Sequence, residues 1–151
     1  MLVAALSALL LIVVTSLLAY EALRVAWSFM AASRFRRGRI LYTLAAAFVA
    51  HFVSIALYGL VYYGLAGDAG TLHQTVSGST GPTTVWFCVY FSAATYSTLG
   101  FGDIVPTGAL RLVSVVEGVN DLMLIGWSVA HSFLAMEEFW NKPQPLAAGA
   151  R

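Results

Sequence analysis

Three long apolar stretches constrain this chain more than anything else in it. Leu2 to about Met30, Ile40 to about Leu65 and Ala109 to about Phe139 each exceed the ~20 residues a helix needs to cross the hydrocarbon core of a bilayer. The third is long enough to cross at a tilt. Composition agrees, since only 10% of the 151 residues are charged, where a soluble domain typically carries roughly a quarter. The chain reads as a multi-pass membrane protein. Its opening, MLVAALSALLLIVVTSLLAY, has no basic residue ahead of the apolar run, and the run outlasts the ~7–15 residues of a signal-peptide core. It reads as a retained helix.

Net charge says little about partners. Acids and bases nearly cancel at +1, which argues for neither nucleic acid nor an acidic partner. Lone Cys88 excludes an intrachain disulfide and any multi-cysteine metal site, and it reads as a small packed hydrophobe. Charge placement is more telling. The connection SRFRRGR holds Arg34, Arg36, Arg37 and Arg39, a density that predicts the cytoplasmic side. The second span then runs outward and the third inward, which puts the N-terminus outside and the tail, with Lys142 and Arg151, inside. A compact chain of this kind suits a bacterial inner membrane. The four arginines could touch anionic lipid heads, but crowding in a short connection is not the regular spacing through a span that a voltage sensor needs.

Between the second and third spans, AGDAGTLHQTVSGSTGPTT reads as an exposed loop, and VWFCVYFSAAT is apolar but too short to cross. It fits a re-entrant helix that starts near Pro82, Thr83 and Thr84. TLGFGD follows. Backbone that is not helical survives at membrane depth only inside protein or along a watery path, because an unpaired amide in lipid costs several kcal/mol. Gly100 and Gly102 open backbone angles closed to other residues, so successive carbonyls can point one way and replace the water around a cation.

Thr98-Leu99-Gly100-Phe101-Gly102-Asp103 resembles the T-x-G-[Y/F]-G-D filter of the potassium-channel pore-domain family. The order of elements is also similar: outer helix, outer loop, pore helix, filter, inner helix. The resemblance covers roughly Ile40 to Phe139. It implies an all-α membrane fold of three transmembrane helices plus a re-entrant pore helix and filter loop. The divisions are an additional helix over 1–32, a basic cytoplasmic loop over 33–39, a pore domain over 40–139 and a tail over 140–151. Within the pore domain they are outer helix 40–65, outer loop 66–83, pore helix 84–96, filter 97–103 and inner helix 109–139. It further implies potassium held by the carbonyls of Thr98, Leu99, Gly100 and Phe101 and by the Thr98 hydroxyl, with Gly102 ending the ladder and Asp103 at the outer mouth. No cofactor is implied beyond the permeant ion. Because one hairpin cannot surround an ion, a homotetramer follows. Phe101 stands where many relatives carry tyrosine, and Ala93 and Ala94 stand where many carry a glutamate that braces the filter acid. A less selective cation channel is therefore the alternative.

The third span carries Ser114, Glu117, Asp121, Ser128 and His131 near one face. Ionisable groups at membrane depth usually face a bundle interior or cavity. Glu117 has two readings, a cavity ring or a brace behind the filter paired with Arg111, whereas Asp121 reads as a cavity residue and Asn120 as a helix-to-helix bond. Gly118 and Gly126 are candidate hinges or close-packing points. His51 and His131 invite a haem or redox reading, against the simpler one of buried histidines bonded to a neighbouring helix. Glu21 and Arg24, three apart, read as a pair along the first helix. Nothing in the chain combines a nucleophile with a base or cradles a phosphate, so no enzyme is expected. No internal repeat is present.

Overall fold

Helices form where the apolar stretches lie. The computed structural model describes residues 1–32, 36–75 and 84–141, with α1 (Leu2–Ala32), α2 (Arg36–Leu65), β1 (Leu72–Gln74), α3 (Val85–Tyr96), β2 (Ile104–Pro106) and α4 (Leu110–Asn141) in chain order. α1, α2 and α4 are long and apolar enough to cross a membrane. α3, at 12 residues, is not. The mostly helical membrane fold is the expected one.

Each spanning helix buries a narrow seam. In α1 the buried positions are Ala4, Ala8, Leu11, Thr15, Ala19, Leu23 and Ala26, spaced by threes and fours along one stripe. Lipid offers helices no hydrophobic reason to associate, so small side chains that let backbones approach take over that task. α2 repeats the rhythm with Thr43, Ala47, Ala50, Ser54, Tyr58 and Tyr62. Large apolar side chains such as Leu6, Leu10 and Phe52 are left outward, where acyl chains solvate them. α1 packs on both α2 and α4. Toward α4, Asn120 donates from Nδ2 to the Thr15 hydroxyl at 3.0 Å, and Tyr20 stacks on Trp127 with ring centroids 6.2 Å apart.

The re-entrant unit has its own supports. Thr84 caps α3 by accepting from the Phe87 amide at 3.3 Å, as the helix-start reading anticipated. β1 and β2 pair antiparallel, with Leu72 opposite Pro106 and Gln74 opposite Ile104. Below the pair, the Thr107 amide donates to the Thr71 carbonyl at 2.9 Å and the Ala109 amide to the Ala69 carbonyl at 2.7 Å. A Cβ at Gly70 (φ +153°) would run into the Thr107 carbonyl, so this clasp closes only around glycine.

Three boundaries move from their sequence positions. α2 begins at Arg36 rather than 40, because arginine is a good helix former and the helix simply continues past the hydrophobic edge. The basic connection is therefore shorter than 33–39: Arg36, Arg37 and Arg39 belong to α2, while Arg34 lies outside the described residues. α4 runs to Asn141, and 142–151, with Lys142 and Arg151, also lie outside them. The outer loop is less open than expected, since 72–74 form a strand and Leu72 is buried; 76–83, with Pro82 and Thr83, lie outside the described residues.

α2 and α3 meet at Gly59, where a Cβ would come within 2.6 Å of Val89 Cγ2 and 2.8 Å of its Cα. Gly59→Ala is expected to lower stability by about 1–3 kcal/mol through overpacking. Gly64→Ala, which meets nothing within 4 Å, should be neutral or gain up to about 1 kcal/mol in helix propensity. Thermal unfolding of the two variants in detergent separates them.

Candidate functional site

The segment after α3 has an unusual backbone. Thr98 (φ 57°), Gly100 (φ 49°) and Gly102 (φ 76°) are left-handed, while Leu99 and Phe101 between them are not. Thr98 is the only non-glycine residue with positive φ among the described residues, a conformation that costs a β-branched side chain energy and marks imposed strain. Alternating handedness turns successive peptide planes toward the same side. No hydrogen bond reaches the carbonyls of Thr98, Leu99, Gly100 or Phe101 among the described residues. The Gly102 carbonyl, by contrast, accepts from the Thr75 hydroxyl at 2.6 Å. The run of unpaired carbonyls thus ends at Phe101.

Both ends of this segment are anchored. At the inner end the last turn of α3 holds it: the Ser97 amide donates to the Ala93 carbonyl at 3.0 Å, Thr98 to Thr95 at 3.0 Å and Gly100 to Ala94 at 3.1 Å. Helix C-termini carry partial negative charge, so α3 aims a potential that favours cations at the same place. At the outer end the Thr75 amide donates to the Asp103 carbonyl at 2.8 Å, and the Tyr90 hydroxyl donates to Asp103 Oδ2 at 2.8 Å. That bond, before any other cause, raises the Tyr90 phenol above its ordinary pKa. Tyr90 was missed in the sequence. It lies one helical turn before Ala94 on the same face of α3, so the brace sits one turn earlier than the position where a glutamate was sought.

Behind α3 lies a buried polar cluster. Glu117 has no exposed surface. Tyr62 of α2 donates to its Oε2 at 2.5 Å, and the Ser92 hydroxyl of α3 lies 2.5 Å from its Oε1. Of the two readings of Glu117, the brace is the one that its position fits. The partner is not Arg111, whose Nε donates to the Pro106 carbonyl at 3.0 Å. Asp121 is also fully buried. The reading of Asp121 as a cavity residue does not hold, because a side chain enclosed by its own subunit's helices has no surface left for a shared cavity. Asn120 bonds to a neighbouring helix as expected.

Gly118 is half-buried and Gly126 exposed, and a Cβ at either would meet nothing within 4 Å. Close packing inside the chain therefore does not explain them. His51 shares a 2.6 Å hydrogen bond between Nδ1 and the Tyr96 hydroxyl, the neighbouring-helix bond of its simpler reading. His131 meets the Trp27 ring edge-on at 5.3 Å. Glu21 and Arg24 pair at 2.7 Å on an exposed face. No group of three or more His, Cys, Asp or Glu side chains able to hold a metal occurs among the described residues.

Removing the Tyr90 hydroxyl leaves Asp103 held by Thr75 alone. Tyr90→Phe is expected to speed amide hydrogen exchange across residues 98–103 while leaving α4 unchanged, as read by mass spectrometry in lipid.

Compared with curated proteins and with solved structures, the chain finds no match. A protein-family model described as an ion channel matches residues 40–138, which takes in almost all of α2 and α4 and everything between them. The match covers most of the chain and points to conduction rather than catalysis. The chain belongs to this ion-channel family, a pore domain of the two-span potassium-channel type preceded by one further membrane-length helix.

Proposed function

We propose that the chain is a potassium-selective channel that conducts passively through a filter shared by four copies. The observation that carries this reading is the run of four unpaired carbonyls, Thr98 to Phe101, on a strained backbone fixed at both ends. Non-helical backbone with unpaired oxygen survives at membrane depth only against protein or along a watery path, so a run of exposed, unpaired carbonyls calls for a ligand, and a dehydrated cation supplies it. The Thr98 hydroxyl is the innermost ligand and Asp103 stands at the outer mouth.

Assembly follows from what a single chain leaves uncovered. Leu99 and Phe101 are 62% and 65% exposed, and two such side chains beside a filter need protein around them. α4 leaves Val115, Val119, Leu122 and Phe133 outward, a face that neighbouring copies in a closed ring would cover or turn toward the cavity. With Glu117 and Asp121 enclosed, that cavity is lined by apolar groups and backbone dipoles. The arginine cluster supports an orientation with the α1–α2 connection in the cytoplasm, the filter and the N-terminus outside and the C-terminus inside, and anionic lipid heads as neighbours of Arg34, Arg36, Arg37 and Arg39. A bacterial inner membrane is the proposed location.

The test is the reversal potential of purified protein in a planar bilayer with potassium on one side and sodium on the other. It should lie near the potassium equilibrium value. Gly100→Ala, which forces a side chain onto φ +49°, should abolish the preference. Current without preference in the unmodified protein would replace this reading with a weakly selective cation pore.

A further inference from the structure

The hydrogen atoms around Glu117 can be counted. Its two oxygens meet the Tyr62 hydroxyl and the Ser92 hydroxyl, both at 2.5 Å. The same Ser92 oxygen lies 2.9 Å from the Ile55 carbonyl, which can only accept. An ionised Glu117 leaves three contacts to be served by two protons, one from Tyr62 and one from Ser92. A proton on Oε1 completes the set: Glu117 donates to Ser92, Ser92 donates to Ile55, and Tyr62 donates to Oε2.

Asp121, one turn further along α4, is less well served. Neither of its oxygens makes a hydrogen bond among the described residues, and the buried Tyr58 hydroxyl beside it makes none either. A carboxylate enclosed at membrane depth with no hydrogen bond formed and no counter-charge among the described residues carries a desolvation cost that it escapes by becoming neutral. Among the described residues, the helices packed around the pair turn no lysine or arginine toward it. α2 presents Tyr58, Tyr62 and His51, the last bonded to Tyr96. α3 presents Ser92, Tyr96 and the buried Cys88 thiol, and α1 presents Thr15, taken up by Asn120. On α4 itself, Arg111 is turned to the Pro106 carbonyl.

We infer that Glu117 and Asp121 form a buried proton-binding site, both held as neutral carboxylic acids, and that the proton on Glu117 completes the link between α4 and the pore helix. The sign follows from the count. The folded chain holds protons that the unfolded chain releases at neutral pH, so stability is full in mild acid and is lost as pH rises. Deprotonation leaves two like charges one turn apart and Ser92 with one proton for two acceptors.

Infrared spectroscopy of the full chain in lipid vesicles at neutral pH tests this directly. A carbonyl stretch of protonated carboxyl, shifting in heavy water, is expected. Glu117→Gln and Asp121→Asn should each remove part of it, and raising the pH should abolish it in the unmodified chain. Absence of the band at neutral pH, or a band untouched by both variants, overturns the inference. Thermal unfolding provides a second readout: the midpoint should fall with rising pH in the unmodified chain and flatten in the Glu117→Gln, Asp121→Asn double variant. A double variant that keeps the unmodified slope also overturns it. Neither readout needs conduction, so a chain that passes no current would count against the channel reading and leave this test standing.

Discussion

Glu117 joins three helices through one carboxyl group: its own α4, α2 through Tyr62 and α3 through Ser92. In water such bonds would exchange freely with solvent. Inside a membrane the alternative is a polar group with no partner, which costs about 1–3 kcal/mol for each group stranded. α3 needs this tie more than the other helices do, because it is too short to span and is held by neighbours rather than by its own length. Its last turn carries the amide bonds of Ser97, Thr98 and Gly100. Fixing α3 at Ser92 therefore fixes the strained residues beyond Tyr96, and the geometry of the candidate ion ladder depends on a residue that never approaches it.

The polar stripe of α4 also gives α1 a physical purpose. Glu117, Asn120, Asp121 and Ser128 are all buried, a concentration of polar groups that a lipid-facing surface would not tolerate. α1 packs along α2 and α4 with an alanine seam narrow enough to come close, and offers a single hydroxyl, Thr15, where Asn120 needs one. Apart from the exposed Glu21–Arg24 pair, most of its outward surface is apolar and ready for acyl chains. A helix that looks dispensable beside a two-span pore is here the wall that separates buried acids from lipid.

Much of this could be read in advance because membrane length and glycine chemistry are local properties. The three spans, the short re-entrant helix with Thr84 at its start and the special backbone at Gly100 and Gly102 each follow from a few adjacent residues. What was hidden depends on residues distant in sequence. Ser92 and Tyr62 reveal themselves as partners of Glu117 only once α2, α3 and α4 are packed, and nothing in the apolar run VWFCVYFSAAT singles out Ser92 from Cys88. Asp121 illustrates the opposite error. Its spacing from Glu117 placed both on one face correctly, but spacing does not say whether that face turns toward a central axis or into the subunit's own interior. The strand pair was also invisible, since three residues on each side are too few to establish a periodicity.

The clasp at the base of the re-entrant unit has a mechanical meaning. Residues 69 to 71 and 107 to 109 are bonded backbone to backbone, with Gly70 and Gly108 pressed against the opposite chain. The loop that contains α3 and the proposed filter is thereby closed on itself at the point where it leaves α2 and enters α4. A pull transmitted along α4 meets these bonds before it reaches the segment after α3. A load passing between α2 and α4 thus has a backbone route that bypasses the strained residues 98–102.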